Sequence, residues 1–405
     1  MKRHLYPIDP LTGKEDRTLT IWEKICSLDN LRLAHKNASR GKKRYQEVIE
    51  FNKDPERHLR EIQTMLVLRT YKPLPYEKFN REERGKVREI YKSRYIPERV
   101  IQWAVLQVIS PILLRQFIHN TYSAIPDRGI HLALKDIQRD IRKDPNGTRY
   151  CLKMDVKKYY PSIDRDILLG YLKRVFKDEG LLWYLDNNIN EAPDTGILIG
   201  NYLSQFTGNF YLTPFDHWLK EEKGVKYLYR YMDDIVILHE SKEFLHQLAR
   251  DIMEYLGSIH LTIKDNWQVF PVANRGVDFV GYRVFPDFIL LRKSTKERMV
   301  QKMTVMQDKV NAGKEITYSD YCRFNSYKGW LKHCNGYRLY DKYFRSLESV
   351  MDTYYKTHLK KKKTKKKEVK DNEKVGKGAV NSSAEKSRRL RPKPCVCVLQ
   401  CQSSS

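Results

Sequence analysis

The chain has 405 residues, 76 Lys+Arg against 50 Asp+Glu, a formal charge of +26, and 41% hydrophobic and 12% aromatic residues. That length suits two or three compact units, and that apolar share excludes a chain disordered throughout. No apolar run reaches the ~18 residues of a transmembrane helix, and residues 1–16 carry charges and two prolines where a secretory signal needs an apolar stretch, so the expectation is no membrane association and a reducing, cytoplasmic compartment.

In chain order, residues 20–70 read as helical, with Trp22, Ile25, Leu28 and Leu31 at helical spacing ahead of basic Lys36, Arg40, Lys42, Lys43 and Arg44. Tyr71, Pro73 and Pro75 mark a break. Residues 98–117 predict an amphipathic helix with Val100, Ile101, Val105, Leu106, Val108 and Ile109 on its apolar face, ended or bent at Pro111. Residues 150–155 predict a strand. Residues 227–231 and 235–238 predict a hairpin broken by Met232, Asp233 and Asp234. Residues 165–176 and 204–222 between them carry helical patterns. The order strand, helix, helix, hairpin, helix predicts an α+β domain with helices on one sheet face.

Residues 277–291 are β-like again, and 294–357 turn helical, with Tyr and Trp spread through them. From Leu359 onward 15 Lys/Arg stand against 4 Asp/Glu, a net +11 that leaves +15 on the first 358 residues. This lysine-rich tail is expected to be disordered, because it buries too little apolar surface to offset ordering entropy. A globular part this basic, in a chain with 27 Tyr, reads first as a nucleic-acid binder, with solubility as the plain alternative. Cys26, Cys151, Cys322 and Cys334 read as buried free thiols; Cys395, Cys397 and Cys401 lack the His or second Cys pair of a zinc site.

The chemistry lies in one acid at a strand end, Asp155, and two adjacent acids in a hairpin, Asp233 and Asp234. Two-metal nucleotidyl transfer needs carboxylates from separate elements converging on two hard cations about 4 Å apart. An Asp-Asp pair also makes an ordinary polar turn. Here, however, apolar β-rich runs flank it, and carboxylates in buried strands are expensive without a neutralising cation.

With these residues in place, YMDD at 231–234 and KMDVKKYYPSID at 153–164 resemble the catalytic signature of reverse transcriptases, and the 78 residues from Asp155 to Asp233 suit their palm. The resemblance implies a right-hand polymerase: an N-terminal helical region over 1–70, fingers over 71–148, palm with an antiparallel sheet over 149–275, primer grip and short helical thumb over 276–357, then the basic tail over 358–405. It implies that Asp155, Asp233 and Asp234 bind two Mg²⁺ ions and that Tyr160 is the steric gate against a ribose 2′-hydroxyl. GKVR at 85–88 and PERV at 97–100 resemble the fingers motifs, implying triphosphate contacts for Lys86, Arg88 and Arg99. Glu89 and a spacing one residue long depart from the pattern. FVGY at 279–282 resembles the primer grip, implying Phe279, Gly281 and Tyr282. LTIK at 261–264 implies that Lys264 lies near the pyrophosphate.

IGNYLSQ at 199–205 resembles diversity-generating retroelement reverse transcriptases, which carry an aliphatic residue before this Gly and Gln after the Ser. That implies lowered fidelity opposite template adenines through Ile199, Gly200 and Gln205, with Gln205 also near the dNTP; helix capping and packing is the alternative. WQVFPV at 267–272, GVDFVGYRVFP at 276–286, LLRKS at 290–294 and SYKGW at 326–330 with Cys334 look like the same group. The implied partners are an RNA template, a DNA or RNA primer, dNTPs and a small basic accessory protein forming a pentameric barrel. The alternatives are an antiphage-defence (retron-like or stand-alone) reverse transcriptase, a group II intron protein, or a non-catalytic RNA-binding scaffold on the polymerase fold.

Overall fold

The computed structural model describes residues 3–83, 86–190 and 196–360. Residues 358–360 of the lysine-rich tail close a π-helical turn, Tyr355–Lys360, and the rest of the tail, with Cys395, Cys397 and Cys401, lies outside the described residues. Two compact units divide the chain: residues up to Ala133 with Gly147–Phe270, and Leu134–Asn146 with the described chain from Pro271 onward.

The first unit opens with α1 (Ile21–Cys26), α2 (Leu28–Ala38), α3 (Gln46–Phe51) and α4 (Pro55–Val67). Thr20, Ser27 and Asp54 cap α1, α2 and α4 by accepting backbone N–H bonds, which is why these helices start where they do. Val67 ends α4 just before the expected break, and β1 (Glu77–Glu83) and β2 (Lys86–Lys92) follow as an antiparallel ribbon. The segment Tyr95–Arg99, kinked at an extended Ile96 (φ −110°, ψ 127°), leads into α5 (Val100–Leu114), an almost wholly buried helix packed on α2. Pro111 does not end α5: it sits inside, and Ile112 and Leu113 beyond it are fully buried, so packing outweighs the lost backbone donor. α6 (Ile130–Lys143) belongs to the second unit from Leu134 onward, and the core of the first unit is a four-stranded sheet.

That sheet draws on β3 (Tyr150–Asp155), β4 (Tyr227–Tyr231), β5 (Asp234–His239) and β6 (Gln268–Pro271), in the order β4-β5-β3-β6. Between β3 and β4 run α7 (Tyr159–Ser162), α8 (Arg165–Val175), α9 (Glu179–Asn190), α10 (Tyr202–Tyr211) and α11 (Thr213–His217). The single helix expected over 204–222 is thus three pieces, because Pro214 restarts the helix at α11 and a π-helical turn, Trp218–Glu222, follows. α9 lies in a stretch where no helix was expected. α12 (Lys242–Ser258) packs on β3 and β5 through Leu245, Leu248, Ala249, Ile252 and Leu256.

The second unit holds α13 (Val272–Arg275), a three-stranded sheet β7 (Val277–Phe279), β8 (Tyr282–Val284) and β9 (Ile289–Leu291), and the helices α14 (Lys293–Asn311), α15 (Tyr318–Leu331), α16 (Tyr337–Tyr343) and α17 (Arg345–Tyr354). Met299, Met303 and Met306 on α14 and Leu347 and Met351 on α17 form its apolar seam. The α+β class and the β-then-helix order of this region agree with the sequence reading. Of the thiols expected to be buried, Cys26 and Cys151 are, while Cys322 and Cys334 are half-exposed. No helix among the described residues is long and apolar enough to cross a membrane.

Candidate active site

Alternation along β3 buries Leu152 and Met154 and leaves Lys153 and Asp155 half-exposed at the strand's end. The antiparallel register sets Asp155 directly opposite Asp234, the first residue of β5, while Tyr231 faces Asp234 across β4 and β5. Met232 and Asp233 form the two-residue turn between those strands. Met232 has φ 56°, an uncommon conformation for a side-chain-bearing residue, and its side chain is buried. The Asp233 carbonyl accepts the Val156 N–H at 3.3 Å, tying the turn to the end of β3. All three predicted acids therefore belong to one sheet end.

Two ammonium groups attend these carboxylates. Lys264 Nζ bonds Asp155 Oδ1, and its backbone N–H donates to the Asp155 carbonyl at 2.9 Å. Lys153 Nζ lies 3.9 Å from Asp234 Oδ1. Among the described residues no group of three or more His, Cys, Asp and Glu is drawn close enough to hold a metal ion. The donor chemistry still suits a hard divalent cation, since carboxylate oxygens on facing strands already attract cationic groups. A metal on Asp155 would displace Lys264.

Beneath the turn lies a polar core that the sequence reading missed. Arg230 on β4 and Asp216 on α11 are both fully buried. Arg230 Nε and Nη2 donate to the two Asp216 oxygens at 2.7 and 2.5 Å, Nη1 donates to Asn209 Oδ1 at 3.2 Å and to the Met232 carbonyl at 3.0 Å, and Nη2 reaches the Asn209 carbonyl at 3.3 Å. Burial works against the guanidinium charge, but the Asp216 carboxylate more than offsets it, so the Arg230 pKa is raised. The legible signal was one arginine in an otherwise apolar and aromatic strand.

Tyr160 sits half-buried on α7, edge-on to Tyr159 with ring centroids 5.7 Å apart. The Tyr159 hydroxyl donates to the Gly208 carbonyl at 2.5 Å, and burial drives its pKa well up. A Cβ at Gly208 would lie 3.5 Å from the Tyr160 ring and 3.6 Å from Met232 Sδ, so this face of α10 lines both the tyrosine and the turn.

The segment before α10 meets the β1–β2 ribbon. Ile199 accepts the Tyr91 N–H at 2.9 Å, and Gly200 (φ 111°) is so placed that a Cβ would run into the Tyr91 carbonyl. The close approach that Gly200 permits is thus to protein backbone. Gln205, half-buried, lies one turn into α10, whose start is fixed by the Asn201 cap and by the Tyr202 N–H donating to Gln102 at 3.1 Å. Lys86 and Arg88 belong to β2 by backbone, with Arg88 opposite Arg81, but their side chains lie outside the described residues. Arg99 reaches over the Tyr202 ring at 6.0 Å, and Trp103 stacks on that ring at 4.7 Å.

In the second unit, Phe279 and Tyr282 face each other across β7 and β8, and both are buried. Val280 (φ 44°) and Gly281 (φ 92°) make the tight turn between them. Tyr282 stacks on Trp330 at 5.0 Å and donates its hydroxyl to the Trp330 carbonyl at 3.0 Å, and a Cβ on Gly281 would lie 2.8 Å from the same indole. The expected primer-grip side chains are packing residues of their own unit, and the glycine makes room for a tryptophan.

A family model described as reverse transcriptase (RNA-dependent DNA polymerase) matches residues 81–284, half of the chain. Protein YkfC of Escherichia coli is 23% identical over 59% of this chain and 73% of its own length. Group II intron-encoded protein LtrA of Lactococcus lactis is 26% identical over 49% of this chain, which spans 36% of that protein. Among solved structures, a C-terminally truncated apo telomerase from Candida tropicalis aligns with TM-score 0.41 at 13% identity over 54% of this chain and 55% of its own. Telomerase from Candida albicans, bound to a fragment of telomeric RNA, aligns with TM-score 0.42 at 14% identity over 55% and 46%.

Proposed function

The chain belongs to the reverse transcriptase (RNA-dependent DNA polymerase) family, and on that premise we propose that it copies an RNA template into cDNA, extending a DNA or RNA primer with dNTPs at the β3–β5 carboxylates. The observation that carries this reading is the opposition of Asp155 and Asp234 at one sheet end, with Asp233 in the adjoining turn. Enzymes of this family use divalent metal ions. Asp155, Asp233 and Asp234 would hold two Mg²⁺, which when bound activate the primer hydroxyl and steady the pyrophosphate. Around them, Tyr160 bars a ribose 2′-hydroxyl, Lys264 moves from Asp155 to the leaving pyrophosphate, and Lys86, Arg88 and Gln205 meet the incoming nucleotide. On this reading residues 1–70 are the N-terminal helical region, 71–148 the fingers, 149–275 the palm, 276–357 the primer grip and thumb, and 358–405 the basic tail, with Phe279, Gly281 and Tyr282 supporting the grip through packing. Asp233→Asn should abolish primer extension; undiminished synthesis would refute the assignment.

The finer reading is mutagenic copying of a template-repeat RNA in a diversity-generating retroelement, with a small basic pentameric partner. It is supported by the Ile199–Gln205 sequence and by the position of Ile199 and Gly200 between the β1–β2 ribbon and α10. Sequencing cDNA from an adenine-rich template decides it: misincorporation concentrated at adenines is expected, and equal fidelity at all four bases would favour an antiphage-defence enzyme instead.

A further inference from the structure

We propose that Arg230 is a positioning residue for synthesis, whose guanidinium holds the Met232 carbonyl and so fixes the backbone that aims Asp233 and Asp234. The proposal rests on the polymerase reading for its kinetic consequence and on geometry alone for the rest. A guanidinium has five N–H donors in a rigid fork. Here five bonds are made, to both Asp216 oxygens, both Asn209 oxygens and the Met232 carbonyl. Asp216 is itself held by the Thr121 hydroxyl at 3.2 Å. The backbone of Arg230 is pinned as well: its N–H donates to the Asn120 carbonyl and its carbonyl accepts from Tyr122, each at 3.0 Å. The fork therefore cannot shift, and neither can the carbonyl it grips.

That carbonyl belongs to the residue at φ 56° on which the turn depends. Left-handed backbone in a residue other than glycine persists only where its surroundings over-determine it. Stability alone does not call for an ion pair in this position, because well-packed apolar residues of similar volume often serve as well as a buried pair. An apolar pair cannot, however, reach the Met232 carbonyl. The downstream link is short, since the Asp233 carbonyl next in the chain bonds the Val156 N–H immediately after Asp155.

The test compares Arg230→Lys with the double variant Arg230→Met/Asp216→Leu in the full-length protein. Lysine keeps the charge against Asp216 but has one nitrogen and cannot also hold Asn209 and Met232. In Arg230→Lys, kcat for primer extension should fall about 100-fold, the scale of an ångström-level misplacement, while KM for dNTP changes only a few-fold. Hydrogen exchange at the Val156 amide should accelerate, with the other β3–β5 amides unchanged. The double variant should recover thermal stability without recovering kcat, and it carries the test if the lysine variant does not fold. Recovery of kcat along with stability in the double variant would overturn the proposal. So would wild-type exchange at Val156 in Arg230→Lys. If the wild-type chain makes no cDNA, the polymerase reading fails, and the exchange measurement still decides the positioning role.

Discussion

Replacing Gly200 with alanine breaks the junction between the β1–β2 ribbon and the start of α10. Gly200 has φ 111°, where a side-chain-bearing residue pays about 1–3 kcal/mol of backbone strain. The new Cβ would also press on the Tyr91 carbonyl, so relief requires the strand end to move and the Tyr91 N–H bond to the Ile199 carbonyl, 2.9 Å long, to break. A hydrogen bond of this kind contributes about 0.5–1.5 kcal/mol net. Detachment breaks that bond in wild type and variant alike, so it cancels, and the strain relieved favours detachment by about 1–3 kcal/mol, or a rise of roughly 5- to 150-fold in the detached population. Hydrogen exchange read at Tyr91 should accelerate by that factor, while amides of the β3–β5 pair stay protected. If the ribbon carries the triphosphate contacts, KM for dNTP should rise in parallel. Wild-type exchange at Tyr91 in a folded Gly200→Ala protein would refute the reasoning.

Other perturbations probe other links. Tyr160→Ala should let ribonucleotides into the product, read by alkali-sensitive cDNA, and continued strict dNTP selection would count against the gate. Gly281→Ala meets both the φ of 92° and the Trp330 ring, so it should cost about 1–3 kcal/mol, lower Tm and shift tryptophan fluorescence; an unchanged Tm would show that the turn yields freely. His35 is held below its usual pKa chiefly by burial, against the Asn52 bond that raises it, with Lys43 lowering it further. Its ring stacks on Phe51, with Tyr95 Oη 2.9 Å from Nδ1 and Asn52 Oδ1 3.2 Å from Nε2, partners that suit the neutral ring. Since the folded pKa lies below the unfolded value of 6.5, the unfolded chain takes up the proton first and stability falls as pH drops below that value. His35→Gln should flatten the Tm–pH slope there, and an unaltered slope would exclude His35 as its source.

Much of the candidate site was legible before any coordinates. Asp155, Asp233 and Asp234 stood out because acids embedded in apolar β-rich runs are rare without a purpose, and the strands and hairpin around them form where those β-rich runs place them. The β1–β2 ribbon was not legible. Its strands are dominated by Lys, Glu and Arg, and what they bond to is each other and the Ile199 carbonyl, a partner more than 100 residues away. Of the end or bend expected at Pro111, the end does not occur, for the same kind of reason: local propensity disfavours proline inside a helix, while burial of Ile112 and Leu113 carries α5 onward.

By itself, then, the sequence singled out three acids on strand ends and a hairpin, the alternation of strands and helices and a strongly basic composition, because these follow from local pattern and residue type. Only the tertiary structure decided what supports that chemistry. Arg230 and Asp216 are 14 residues apart on different elements, and the Met232 carbonyl that Arg230 grips is a backbone atom with no sequence signature. Gly200 and Gly281 likewise stand where a Cβ would meet the Tyr91 carbonyl and the Trp330 ring, neighbours that no local pattern names. Hydrogen-bond partners and close approaches are settled by the packing of distant segments, and that packing is what turns three legible carboxylates into one held geometry.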